Sequence, residues 1–255
     1  MTREFVASLY HLLYDFDEEQ PLNLFKRGII YMDDFKLDKP TPYYLQFYFQ
    51  LKKMIFNGTF KPGERINETQ LAKSFGVSRS PIREAMRLLE KDGLLRADDR
   101  NGFSIASLTA KDVDEIYKIR IPLELLAVEL VIDEANDEEL QTLEKQLEET
   151  ENAIRNGAEE TEMISLNQKF HQLLVDFSHN RHLKNLLEHV NDLIHFCRIL
   201  NYKGDNRPET ILREHRSIFE EVKKRNKEAA KEYMMAHFNH DSEHLKRVLE
   251  EGKEN

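Results

Sequence analysis

Apolar residues recur at helical spacing along most of this chain, and the breaks between them divide it into segments. Between Tyr43 and Phe56, the residues Leu45, Tyr48, Leu51, Met54 and Ile55 form one buried face, and Gly58 ends the predicted helix. In NETQLAKSFGVSRSPIREAMR, from Asn67 to Arg87, Asn67 followed by Gln70 is a capping pattern that starts a short helix. Leu71, Ala72 and Phe75 supply its apolar face, and Gly76 closes it where a left-handed backbone is favoured. Val77 fills the corner, Ser78 is placed to cap a second helix, and Pro81 falls in that helix's first turn, where a missing N–H costs little. Ile82, Ala85, Met86 and Leu89 then share one face, while Arg79, Arg83 and Arg87 recur at every fourth position on another.

The period changes after Leu94. Two short extended runs, Leu94–Ala97 and Phe103–Ser107, flank an Asn-Gly tip, which reads as a hairpin. From Thr109 onward long amphipathic helices follow without strand signals: one opening at Thr109, then Asp137–Arg155, Glu160–Phe177, Arg181–Leu200, Glu209–Arg225 and Lys227–Glu250. Six such helices make a bundle. Pro122 is expected to weaken or kink the first of them.

A helix with one packing side and one arginine side has the pattern of a DNA recognition helix, since guanidinium forks match phosphate oxygens and the acceptor edge of guanine. The plain alternative is an amphipathic hairpin with a solvated basic face. The surrounding residues favour the first reading. GTFKPGERINETQLAKSFGVSRSPIREAMRLLEKDGLL, from Gly58 to Leu95, resembles without a gap the N-terminal winged helix of GntR-family transcription regulators. Its hallmarks are a G-x-[FL]-x-PG turn, an E-x-x-LA-x-x-x-GVSR-[ST]-P-[IV]-REA core and an L-x-x-x-GL ending. The resemblance implies that Arg79 and Arg83 read base edges or grip phosphates, with shorter contacts from Thr69, Ser78 and Ser80. It also implies a wing whose tip, Arg100, Asn101 and Gly102, reaches the minor groove. Asp98 and Asp99 at the base of that wing oppose phosphate contact.

The formal charge of −10 argues against a nucleic-acid partner until its distribution is considered. Residues 41–108 hold eleven basic and seven acidic side chains, a net +4, which leaves −14 on the rest. A basic module on an acidic body suits a regulator that meets DNA through one end. With 255 residues, 40% hydrophobic and 33% charged, the chain has room for two modest domains and suits a soluble, helix-rich protein. No run of about 18 apolar residues is present, which excludes a membrane-spanning helix. Cys197 is the sole cysteine, so no intrachain disulfide forms, and a cytoplasmic location is expected.

Residues 1–40 have no counterpart in the resembling pattern. Phe5, Leu9, Leu12, Leu13 and Phe16 can share a short helical face before Pro21, and LFKRGIIYMDDF follows. One expectation is an extra arm; the other is a natural start at Met32, with Lys26-Arg27-Gly28 encoded by a purine-rich run upstream of it.

The C-terminal half resembles the FCD ligand-binding domain of the FadR-type branch of the same family. The residues that carry this are IYKIRIPLELLAVEL, the run N-x-x-FH from Asn167 to His171, SHNRHL around Asn180, EHRSIFEEV from Glu214, and Ala236-His237. The expected fold is thus mainly α: an N-terminal winged helix-turn-helix over 41–108 and an all-α FCD-type bundle over 109–255.

His171, His215 and His237 fall on three predicted helices, and Asn167 lies one turn before His171. Imidazoles converging inside a bundle suit a divalent ion such as zinc or nickel, whereas separated core histidines with ordinary partners are the alternative. The resemblance supports the metal, because the FCD motif is D-x-x-x-H followed by two further histidines. Asn167 replaces the aspartate and brings an amide oxygen without charge. Arg120, on a helix otherwise lined by Ile116, Ile119, Leu123 and Leu126, is either an internal partner of Glu124 or a ligand for a carboxylate effector. Arg198 and Arg213 are weaker effector candidates.

The resulting expectation is a regulator, not an enzyme, that binds a short inverted-repeat operator in double-stranded DNA as a homodimer. A small organic acid or sugar acid then modulates it. Two alternatives remain at this stage: a direct divalent-metal sensor, and a metal-dependent hydrolase or lyase. The last lacks an HExxH-type run and an evident general base.

Overall fold

The computed structural model describes residues 41–98, 102–202 and 207–254. The expectations for residues 1–40 and for Asp99, Arg100 and Asn101 lie outside the described residues.

The first three helices are α1 (Tyr43–Phe56), α2 (Glu68–Phe75) and α3 (Arg79–Lys91). Asn67 Oδ1 accepts from the Gln70 N–H at 3.0 Å, and Gly76 ends α2 at φ 66°. Ser78 takes the extended N-cap backbone before α3, but its hydroxyl makes no cap bond, contrary to expectation. The apolar face of α3 is the expected one: Ile82, Ala85, Met86 and Leu89 are all buried. On α1 the buried residues are Phe47, Leu51 and Ile55, so Phe47 takes the place expected for Leu45 and its ring meets that of Phe75 at 5.1 Å.

Strands β1 (Arg65–Ile66), β2 (Leu95–Ala97) and β3 (Phe103–Ile105) form an antiparallel sheet in the order β1-β3-β2. The wing hairpin is thus present, and β1, which the sequence pattern does not predict, pairs Arg65 with Ser104 and Ile66 with Phe103. Two residues are too short to show a period. The sheet and the three helices share one core built on Leu51, Ile82, Met86, Leu94 and Phe103.

Six helices follow: α4 (Ala110–Glu134), α5 (Asp137–Arg155), α6 (Glu160–Phe177), α7 (Arg181–Asn201), α8 (Arg207–Lys223) and α9 (Lys227–Glu254). Capping boxes at Thr109 with Asp112 and at Asn136 with Glu139 fix the starts of α4 and α5. Helix α4 runs unbroken through Pro122. Pro122 and Lys118, whose carbonyl loses its partner to the ring, are both exposed, so water can take up that bond. Helix α9 packs along α4 and α8, while α6 lies against α4, α5 and α7, around a core that includes Val128, Phe170, Ile218 and Phe238.

Candidate functional site

Two sites emerge, one on α3 and one inside the bundle. On α3, the side chains of Arg79 and Arg83 both turn to Glu68 on α2. Arg79 Nη2 lies 3.1 Å from Glu68 Oε2; Arg83 donates through Nε to Oε2 at 3.1 Å and through Nη2 to Oε1 at 3.2 Å. The Glu68 carboxylate is buried, while Arg79 and Arg83 keep 57% and 40% of their side-chain surface. One buried acid therefore orients two guanidinium groups on an open face. Thr69, Ser78 and Ser80 are exposed around them. Sequence reasoning saw Glu68 only as a motif residue, since nothing in the spacing shows that α2 crosses α3 at that point.

A cleft of about 190 Å³ separates α3 from the wing, lined by Arg83, Arg87, Asp98 and Gly102 among others. Asp98 does not simply face approaching phosphate. Its Oδ1 accepts from the Gly102 N–H at 2.8 Å, and Oδ2 lies 3.1 Å from Arg65 on β1. The expected opposition is thus neutralised at Asp98, and the pair packs closely on Gly102, where a Cβ would stand 2.7 Å from Arg65 Nη2 and push that side chain aside.

Inside the bundle, His171 on α6, His215 on α8 and His237 on α9 converge, with one ligand nitrogen from each within 4.8 Å of the others. All three are buried, and Nε2 of each lacks a hydrogen-bond partner. Carboxylates hold the opposite ring nitrogens of two: His171 Nδ1 meets Glu124 Oε2 at 2.5 Å, and His237 Nδ1 meets Glu214 Oε2 at 2.8 Å. Each bond puts a proton on Nδ1, the arrangement found behind metal-bound imidazoles, and leaves Nε2 of neutral His171 as a lone pair, whereas Nε2 of His237 lies 3.6 Å from the buried Asp241 carboxylate. Burial lowers the His171 pKa to about 3 and that of His215 well below the ordinary range, so both rings are neutral. Buried Asn167 has neither amide atom partnered. Three residues predicted from sequence thus meet, and the orphaned nitrogens fit a divalent ion; Asn167 lies one turn before His171 on α6. Glu124 and Glu214, which orient the rings, carry no sequence signal for that role, because their partners lie 47 and 23 positions away.

Arg120 is buried, and its Nε donates to Glu124 Oε1 at 2.6 Å. Its Nη1 and Nη2 remain without partners, with the guanidinium 4.5 Å above the Phe238 ring. Arg120 is thus an internal partner of Glu124, one of its two sequence readings, and its two terminal nitrogens remain unspent. Burial would raise the Glu124 carboxyl, but Arg120 and His171 outweigh that and hold it far below the usual carboxylate range. Arg198 on α7 is also buried, with its pKa down to about 10 through burial and the nearby Arg120. A cavity of about 250 Å³ between α6 and α7 is lined by Glu124, Gln168, His171, Lys184, Asn191 and Arg198, among others. Arg213 is not part of this group. Two positions before His215, it lies on the opposite side of α8 and is exposed in a separate groove with Arg155 and Arg216.

A helix-turn-helix with a wing, joined to an all-α bundle, is the architecture of a DNA-binding transcription regulator. Comparison with known proteins identifies it further. Residues 43–105 match the bacterial regulatory proteins of the gntR family, and residues 115–240 match the FCD domain. A relative from Bacillus subtilis (strain 168), the uncharacterized HTH-type transcriptional regulator YdhC, is 88% identical over 224 residues, 88% of this chain and 100% of that protein. The Nta operon transcriptional regulator of Aminobacter aminovorans is 35% identical over 145 residues, 57% of this chain and 68% of that one. Among solved structures, E. coli McbR/YncC shares the fold with a TM-score of 0.66 at 24% identity, covering 82% of this chain and 99% of that one. The chain belongs to the gntR family, with a C-terminal FCD domain, and is a DNA-binding transcription regulator and not an enzyme. Among the described residues, no helix is long and apolar enough to cross a membrane.

Proposed function

We propose that operator binding by this regulator is modulated by a small organic acid or sugar acid, held in the bundle beside a divalent metal ion, zinc or nickel. The observation that carries this reading is the convergence of three unpartnered Nε2 atoms, of His171, His215 and His237, next to the buried guanidiniums of Arg120 and Arg198. The histidines would hold the ion, with Asn167 Oδ1 as a further donor, and leave room in its shell for a ligand. When bound, the metal supplies a Lewis-acid anchor for a carboxylate oxygen. Three buried arginines, Arg120, Arg198 and Arg207, stand there against two buried carboxylates, Glu124 and Asp241, and neutral donors add no negative charge. An anionic ligand therefore relieves an excess of buried positive charge.

In this reading residues 41–108 are the reading head and residues 109–255 the effector and pairing domain. Arg79 and Arg83 contact bases or phosphates, Thr69, Ser78 and Ser80 add short contacts, and Arg100, Asn101 and Gly102 enter the minor groove. Pairing of two copies sets two α3 helices against a short inverted repeat. The apolar positions Ile119 and Leu126 on α4 and Leu186 on α7 are exposed, which supports a homodimer through this face.

Elemental analysis of the purified protein, expected to find zinc or nickel and to lose it in His215→Ala, tests the centre. A parent that neither contains nor takes up metal removes the ion from the reading. Succinate, citrate and gluconate are then titrated against the operator complex. A response lost in Arg198→Ala supports an acid effector, whereas a response to metal alone points to a direct metal sensor.

A further inference from the structure

We infer that helix α7 carries the state of the bundle pocket to the reading head, and that the Gln168–His195 pair is its coupling contact. One face of α7, through Leu187, Asn191, Ile194 and Arg198, lines the cavity. The other meets the head in three ways. Asp192 lies 2.6 Å from Lys52 Nζ on α1, and the His195 ring stands edge-on to Phe56 at 4.4 Å. Leu193 packs so closely on Gly93, two residues past the end of α3, that a Cβ there would be 2.9 Å from Leu193 Cδ2.

Gln168 belongs to both sides. It lines the cavity from α6, and its Oε1 accepts from His195 Nδ1–H at 2.8 Å. His195 is kept neutral, its pKa pushed down to about 4 by burial and by Arg198 and Lys52, so it has one ring proton and gives it to Gln168. That bond fixes the plane of the ring against Phe56. A ligand that draws the Gln168 amide toward the cavity removes the bond and frees the ring. Displacement at Phe56 is passed on within the head, where the Tyr48 hydroxyl on α1 donates to Asp92 Oδ2 at 2.7 Å, directly after α3. Two sites coupled in this way exchange free energy in both directions. The inference rests on the proposed effector pocket for the identity of the trigger, not for the connection.

A double-mutant cycle on the full chain tests it without any effector. Gln168→Leu removes the acceptor at similar volume, and Phe56→Leu removes the ring on the head. With a duplex recovered by selection, each single variant is expected to change affinity by about fivefold. The double variant should do no more than either single one, because both cut the same link. Changes that multiply, or a Gln168→Leu protein within about twofold of the parent, overturn the inference. Hydrogen exchange gives a readout that needs neither DNA nor a folded Phe56→Leu variant. Amides of Met54 to Phe56 should exchange faster in Gln168→Leu, and unchanged exchange counts against the contact. Failure of the acid or metal assignment would instead appear in the titrations and elemental analysis above.

Discussion

Arg83 donates two hydrogen bonds to one buried carboxylate and still keeps 40% of its side chain in solvent, so its direction is set before DNA arrives. Fixing a long side chain in advance removes part of the ordering cost of binding. Arg83→Ala is expected to cost about 1–3 kcal/mol per half-site if the fork meets guanine, and to relax preference at that base pair in selection from a random pool. Glu68→Gln tests the orienting acid. It keeps the shape but removes the charge, so nonspecific affinity should rise, selectivity should flatten, and the slope of log affinity against log salt should steepen by about one. An unchanged slope and selectivity would reduce Glu68 to packing. At this scale the sequence showed which arginines share a face, because that depends on the helical period alone. It could not show Glu68 between two of them, since that depends on how separate helices cross. The same limit applies in the bundle: the register of α6 put Asn167 and His171 together, while Arg213 needed the rotation of α8 about its axis to be known.

Helix boundaries were legible because their causes are local. Asp137–Arg155 and Glu160–Phe177 begin and end where the sequence pattern predicts, and Asn136 caps the first of these with its own side chain. The exception is instructive. The pattern carries α8 to Arg225, but the helix stops at Lys223, and Arg225 takes a left-handed φ of 58°. That turn aims its guanidinium at the end of α4, where it donates to the carbonyls of Val131 at 3.2 Å, Ile132 at 2.7 Å and Ala135 at 2.6 Å. A cation at the negative end of a helix, bonding the terminal carbonyls of Ile132 and Ala135 and sharing that of Val131 with the Ala135 N–H, outweighs the strain of the backbone. No local pattern signals this, because donor and acceptors are about 90 residues apart. Arg225→Ala should lose about 2 kcal/mol of stability, read as a lower urea midpoint at unchanged slope. Arg225→Gly should recover part of that loss, about 0.5–1 kcal/mol, by relaxing the left-handed turn. Equal midpoints for both variants and the parent would mean that water replaces the guanidinium without cost.

Across the whole molecule, charge and apolar surface point to the same arrangement of the DNA complex. The head segment carries +4 and the remainder −14, so a duplex is attracted to one end and repelled by the body. In the proposed dimer a second head comes from another copy of the chain and doubles the phosphate and base contacts that one module of this size can make. The exposed apolar positions Ile119, Leu126 and Leu186 belong to α4 and α7 and not to α3, so the proposed pairing through them uses no residue of the arginine helix. Replacing Ile119 and Leu126 together by Glu puts two charges into the proposed interface without touching the buried core. The variant should run as a monomer in light scattering while keeping the thermal stability of its own fold. Its affinity for an isolated half-site should match that of the parent, but the gain on joining two half-sites into an inverted repeat should disappear. That gain comes from the effective concentration of the second head, typically 10²–10⁴-fold, and not from any new contact. A monomeric variant that still bound the full repeat as tightly as the parent would show that one head suffices, and would remove the stripe from the account of DNA binding.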